Sequence, residues 1–146
     1  MKVQKYSRQR EAIKAFLKDN HAHPTADEVY TALRQTFPNV SLGTVYRNLH
    51  LLAECGEIRQ LSFPAGPDHF DCTLKPHYHF VCRKCGKVYD MPSHFTEEVE
   101  AEAAREAPGV IDSHDLVFYG TCNECLHRLL AEEGKQPVQP SERKTV

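Results

Sequence analysis

Long apolar stretches are missing from these 146 residues. No run approaches the roughly 20 residues needed to cross a bilayer. The N-terminus, MKVQKYSRQR, lacks the apolar core of a secretory signal. The expectation is a chain that neither enters a membrane nor is exported, and whose thiols stay reduced in a cytoplasm. A marked excess of charge is missing too: the formal net charge is −2. That balance argues against a nucleic-acid partner until it is divided along the chain. Residues 1–62 hold nine Lys and Arg against six Asp and Glu, whereas residues 63–146 hold nine against fourteen. The basic half is N-terminal, a modest sign that a polyanion binds there. The length allows one large domain or two small ones, and lobes that small often need a metal staple. Two small lobes fit best.

Cysteine is present in pattern. Of the six cysteines, four form two CxxC pairs, Cys82/Cys85 in CRKC and Cys122/Cys125 in CNEC. Paired thiolates at this spacing suit a tetrahedral zinc ion, and a closed set of four leaves no open coordination position. The expected ion, one Zn²⁺ per subunit, therefore builds the fold and does no chemistry. Disulfides or a redox dithiol are the alternatives, and a reducing compartment disfavours disulfides. Cys55 and Cys72 remain. Cys55 closes the apolar segment LHLLAEC and is expected to be buried filler.

Three helical patterns fill the basic half. The first opens near Ser7 and aligns Ala12, Ile13, Phe16 and Leu17, stopping at Asp19 and Asn20. The second opens on a capping box, Thr25 to Glu28, and buries Val29 and Leu33 with Tyr30 and Phe37. The third starts at Ser41, aligns Leu42, Val45, Leu49 and Leu52, and ends at Gly56. Two strand-like segments follow, residues 57–62 and 69–71, around the turn residues Pro64 to Asp68. Three helices and a hairpin describe a winged helix-turn-helix over residues 1–72. Its third helix would present Gly43, Thr44, Tyr46, Arg47 and Asn48 to a major groove, beginning at Ser41. Arg47 suits guanine or phosphate, Asn48 adenine, and Tyr46 a thymine methyl or phosphate. Lys2, Lys5, Arg8 and Arg10 would follow the backbone. A polar face that is merely solvated is the plain alternative.

Pro76 and the lack of periodicity around it mark residues 73–77 as a hinge. A small α/β lobe over residues 78–131 is expected next, making the chain α+β overall. Residues 77–82 alternate as a strand, with His77 and His79 on one face. A return strand covers residues 87–90, a helix 96–107, a strand 111–119 and a last helix 123–131. Residues 132–146, rich in Lys, Gln, Pro and Ser, read as a disordered tail. Asp71, His77, His79 and Asp90 offer nitrogen and oxygen donors that suit iron, manganese or zinc, a second and chemically different metal site. Zinc at the hairpin turn would fix the strand carrying His77 and His79. His23, just before the second helix, is a further candidate, although a lone His there is more often a surface residue.

With these residues in hand, the chain resembles the ferric uptake regulator (Fur) family and, within it, the peroxide-sensing PerR branch. The resemblance rests on HPTADEVY, SLGTVYRNL, FDCTLKPHYHFVCRKCGKVYD and YGTCNEC, and runs from about Tyr6 to Leu130. It implies a homodimeric bacterial repressor with an N-terminal winged helix, a C-terminal dimerisation lobe and a Cys₄ zinc. Its partner would be double-stranded operator DNA carrying an inverted repeat. It also implies a regulatory Fe²⁺ or Mn²⁺, one per subunit, on His23, Asp71, His77, His79 and Asp90. Iron-responsive relatives commonly carry Glu where this chain has Asp71 or Asp90. In PerR-like proteins, iron and hydrogen peroxide lead to oxidation of a histidine ligand, here His23 or His77, whereas Mn²⁺ supports DNA binding without it. A Fur-type repressor responding to iron, manganese or zinc without peroxide sensing is the alternative. A non-haem iron enzyme would leave the winged half unexplained. Cys72 raises a thiolate zinc-sensing site, yet neighbouring strand residues face opposite ways, so Asp71 and Cys72 are not expected to share one ion.

Overall fold

Side-chain caps open the three N-terminal helices. Ser7 accepts from the Arg10 backbone N–H ahead of α1 (Arg8–Asp19), and Ser41 accepts from Thr44 ahead of α3 (Leu42–Glu54). Ahead of α2 (Ala26–Leu33), Thr25 and Glu28 form the expected capping box, each side chain bonded to the other's backbone N–H. The computed structural model describes residues 6–92, 94 and 96–134, and the chain divides into two units, Met1–His77 and Tyr78–Val146.

The first unit has one core. Ile13 and Leu17 of α1, Val29 and Leu33 of α2, and Val45, Leu49 and Leu52 of α3 are buried against Ile58 and Phe70. The apolar stripes recur at helical spacing, so each helix turns one face inward. Gly56, with φ of +70°, takes the left-handed position just past α3 that a side chain would strain. β1 (Arg59–Leu61) then pairs antiparallel with β2 (His69–Asp71), giving the hairpin of a winged helix-turn-helix. The wing is tied to α3 through side chains: His50 Nδ1 lies 3.0 Å from Gln60 Oε1, and Gln60 Nε2 donates to Asp68 at 2.6 Å. Cys55 is exposed and not buried, because α3 ends at Glu54 and Ile58 takes the next core position.

The second unit is a three-stranded sheet in the order β4-β3-β5. β3 (Tyr78–Cys82) runs antiparallel to β4 (Val88–Met91) and parallel to β5 (Val117–Gly120), with α4 (Thr96–Glu106) on the connection between β4 and β5. α5 (Asn123–Glu132) closes the unit. Two strands differ from expectation. His77 precedes β3, so the alternation that would place it beside His79 starts one residue too late. β5 covers only Val117–Gly120, three residues of the expected strand and one beyond it, because the polar run Asp112-Ser113-His114-Asp115 interrupts the apolar pattern. His114 is itself held, with Nε2 2.5 Å from Tyr78 Oη and Nδ1 3.0 Å from Glu100. At the other end, Glu132 of the expected tail is the last residue of α5, and residues 135–146 lie outside the described residues, as do Lys2 and Lys5.

Candidate metal centres

The four CxxC sulfurs converge within the second unit. Cys82 ends β3, Cys85 lies in the turn after it, Cys122 is the N-cap of α5, and Cys125 sits in that helix's first turn. Their sulfurs lie within 4.8 Å of one another. The Cys85 and Cys122 sulfurs are 3.8 Å apart. A tetrahedron with Zn–S bonds of about 2.3 Å has edges of about 3.8 Å, whereas a disulfide needs about 2.05 Å. The donors around the sulfurs favour thiolate. The Cys122 N–H reaches Cys82 Sγ at 3.3 Å, and Arg128 reaches Cys125 Sγ at 3.1 Å. Burial pushes the Cys82 thiol up, but the N–H groups of Cys122, Cys85 and Lys84 outweigh it and bring it down to about 6. The Cys125 N–H likewise holds Cys122 low. Burial and the neighbouring thiols push Cys85 up to about 12. Four sulfurs crowded this closely cannot all ionise unaided; a divalent cation resolves that conflict, and the set fits structural Zn²⁺.

A nitrogen and oxygen set gathers in the first unit. Asp71 ends β2, where its Oδ1 accepts from the Thr73 N–H at 2.7 Å. Its Oδ2 lies 3.1 Å from His77 Nε2 and 3.8 Å from His23 Nε2. His77 Nδ1 is 2.7 Å from the Lys75 carbonyl, which can only accept, so the proton sits on Nδ1. A neutral ring then turns the Nε2 lone pair toward a carboxylate oxygen. That pairing is repulsive until a cation or a second proton intervenes. A backbone carbonyl fixing the tautomer of a histidine is the usual support for a metal ligand.

His23 is buried at 2% exposure, contrary to the surface default for a lone histidine before a helix. Its φ of +51° makes it the one non-glycine residue in the left-handed region among the described residues. That conformation costs roughly 1–2 kcal/mol, and strain of this kind concentrates at functional sites. Three contacts with β2 hold it: His69 Nδ1 to the His23 carbonyl at 2.6 Å, the Phe70 N–H to the Pro24 carbonyl at 3.0 Å, and a bridge between Thr25 and His69. His69 escaped the sequence reading. A signal existed, since residues two apart on a strand share a face and His69 precedes Asp71 by two. Cys72 turns away, its Sγ donating to the Leu17 carbonyl at 3.2 Å, as expected for the residue after Asp71.

In the second unit, His79 and Asp90 are direct cross-strand partners of β3 and β4, with Nε2 and Oδ1 3.6 Å apart. His79 is buried and Asp90 is exposed. The candidate donors thus differ in kind: sulfur alone around Cys82, nitrogen and oxygen alone at Asp71 and at His79.

The residues expected to face a groove surround the start of α3. Ser41 Oγ lies 2.9 Å from Thr44 Oγ1, which also accepts from Arg47 at 3.0 Å. Asn48 Nδ2 donates to the Thr44 carbonyl at 2.9 Å, and its Oδ1 accepts from Arg10 at 3.4 Å. Pairing Asn48 with adenine would require exchanging both bonds. Tyr46 is half-buried and stacks on His50 with ring centroids 6.2 Å apart, whereas Arg8, Gly43 and Arg47 are exposed. No helix of the described residues is long and apolar enough to cross a membrane.

Known proteins resemble this chain. Residues 2–119 match the Ferric uptake regulator family. The peroxide operon regulator of Bacillus subtilis is 41% identical over 117 residues, covering 80% of this chain and 81% of that protein. The peroxide-responsive repressor PerR of Staphylococcus epidermidis is 39% identical over 117 residues, covering 80% and 78%. Among solved structures, the Helicobacter pylori ferric uptake regulator, described as having three functional metal binding sites, superposes with a TM-score of 0.76. It is 28% identical, over 84% of this chain and 82% of that one.

Proposed function

The chain belongs to the ferric uptake regulator family, and from that premise we propose that it is a metal-dependent repressor that binds operator DNA and releases it on exposure to hydrogen peroxide. It regulates peroxide-stress and metal-homeostasis genes in a bacterial cytoplasm. Its regulatory metal, Fe²⁺ or Mn²⁺, is held by His23, Asp71, His77, His79 and Asp90. The observation that carries this reading is the sulfur-free donor set around Asp71, where His77 keeps its proton on Nδ1 and offers Nε2. Such donors suit Fe²⁺ and Mn²⁺, and the Cys72 thiol, bonded to Leu17, is not among them. The similarity to two peroxide regulators supports the branch.

Held by these five nitrogen and oxygen ligands, Fe²⁺ would supply redox chemistry toward hydrogen peroxide that Mn²⁺ would not. The protein's part is to present His23 and His77 as ligands around Asp71, where that oxidation would reach them. Oxidation adds one oxygen to either ring and removes it as a ligand. His23 and His77 belong to the first unit, His79 and Asp90 to the second, so a shared ion couples the winged helix to the sheet lobe. Losing a ligand releases that coupling. Couplings of this kind are about 1–3 kcal/mol, or roughly 5- to 150-fold in operator affinity. The protein acts as a homodimer on an inverted repeat, with α3 of each subunit in a major groove: Arg47 and Tyr46 reach the bases, and Ser41, Gly43, Thr44, Asn48, Arg8 and Arg10 set its position.

The test is anaerobic loading with Fe²⁺ or Mn²⁺, brief hydrogen peroxide exposure, peptide mass spectrometry and a parallel operator-binding assay. A one-oxygen gain on His23 or His77 with Fe²⁺ alone, together with lost binding, is expected. Unmodified histidines with binding that still tracks metal would make the protein a metal-responsive repressor. His23→Ala and Asp90→Ala are each expected to abolish metal-dependent operator binding while zinc content and subunit association are retained.

A further inference from the structure

His69 lies outside the proposed ligand set, yet it grips one of the ligands by its backbone. His23 sits in the left-handed region directly before Pro24, and a residue before proline has fewer conformations open to it. The carbonyl of His23 can only accept, so His69 donates from Nδ1, at 2.6 Å. Two residues on, the same strand carries Asp71, whose Oδ2 faces His23 Nε2 at 3.8 Å. β2 therefore sets two distances at once: it carries one ligand and clamps the peptide of the other.

We propose that His69 is a positioning residue for the regulatory metal, its Nδ1–H holding the His23 peptide in the left-handed conformation that turns the imidazole toward Asp71. The inference rests on the reading that His23 and Asp71 bind that metal. His69 is half-buried and its ring packs beside Phe63 at 6.1 Å between centroids, so the hydrogen bond and the packing must be separated. Asn does this. Its amide N–H falls near the place of the imidazole Nδ1–H, without the ring.

The experiment uses the full zinc-loaded chain and titrates it anaerobically with Mn²⁺, following free Mn²⁺ by electron paramagnetic resonance. His69→Leu is expected to weaken Mn²⁺ binding by about 10- to 100-fold, and His69→Asn to recover most of that loss, both at unchanged zinc content. Nitrogen NMR of the manganese-free protein is expected to show His69 protonated at Nδ1. Equal losses in the Leu and Asn variants would assign the effect to ring packing and overturn the proposal, as would the opposite tautomer. Wild-type affinity in His69→Leu, with His23→Ala and Asp71→Ala both weakened, would refute the role of His69 alone. Wild-type affinity in His23→Ala and Asp71→Ala would instead overturn the metal reading, and this inference with it.

Discussion

Arg47 and Asn48 are chain neighbours with different duties. Arg47 is exposed and bonded to a flexible threonine hydroxyl, so it can leave Thr44 and extend into a groove. Asn48 bonds at both ends of its amide, to the Thr44 carbonyl and to Arg10, and thereby braces α1 against α3. Arg47→Ala is expected to weaken operator binding by about 1–3 kcal/mol while binding to unrelated DNA falls less. Fluorescence anisotropy at one fixed salt concentration, with both duplexes, measures the difference. Residue identity was legible where spacing alone defines chemistry, as with the CxxC pairs. It was illegible where backbone geometry decides. Neither the positive φ of His23 nor the partner of His69 leaves a mark in residue order, because both arise from a contact between residues 46 positions apart. Cys55 misled for a related reason: an apolar neighbourhood predicts burial only while the helix continues, and α3 stops one residue short of it.

Helix ends and apolar stripes were the most readable elements, since caps and 3.6-residue periodicity are local. The edges of the sheet were not. β5 has β3 as its partner only over residues 117–120, and no rule of composition marks where that pairing begins. That parallel pairing also explains a small residue. A Cβ at Gly120 would stand 3.0 Å from Phe80 Cε2 across the strands, too close unless the ring moves. Gly120→Ala is expected to destabilise the second unit by about 1–3 kcal/mol, as overpacking typically does. Thermal unfolding of the zinc-loaded chain reads this cost, and Phe80→Leu in the same background should recover part of it. Because Gly120 lies two residues before Cys122 in the chain, the same variant tests how far strain in β5 loosens zinc.

At the scale of the whole molecule, two metals of unlike chemistry divide the labour: thiolates for an ion that stays, nitrogen and oxygen for an ion that responds. Cys85→Ser is expected to lose stoichiometric zinc and with it the cooperative unfolding of the second unit, seen by zinc content and circular dichroism. Structural zinc contributes on the order of 10 kcal/mol in small domains, more than a lobe without a buried residue in α4 can replace from its core. The hairpin that ends at Cys82 also carries His79 and Asp90 as facing partners, three registers from the sulfur at its tip. Time therefore enters the assembly. Pairing of His79 with Asp90 is expected to depend on closure of the knuckle, so zinc is expected to bind first and the responsive metal second, an order that Mn²⁺ titration of the zinc-free chain checks. A cell starved of zinc would then make a regulator blind to its signal, however much iron or manganese it held.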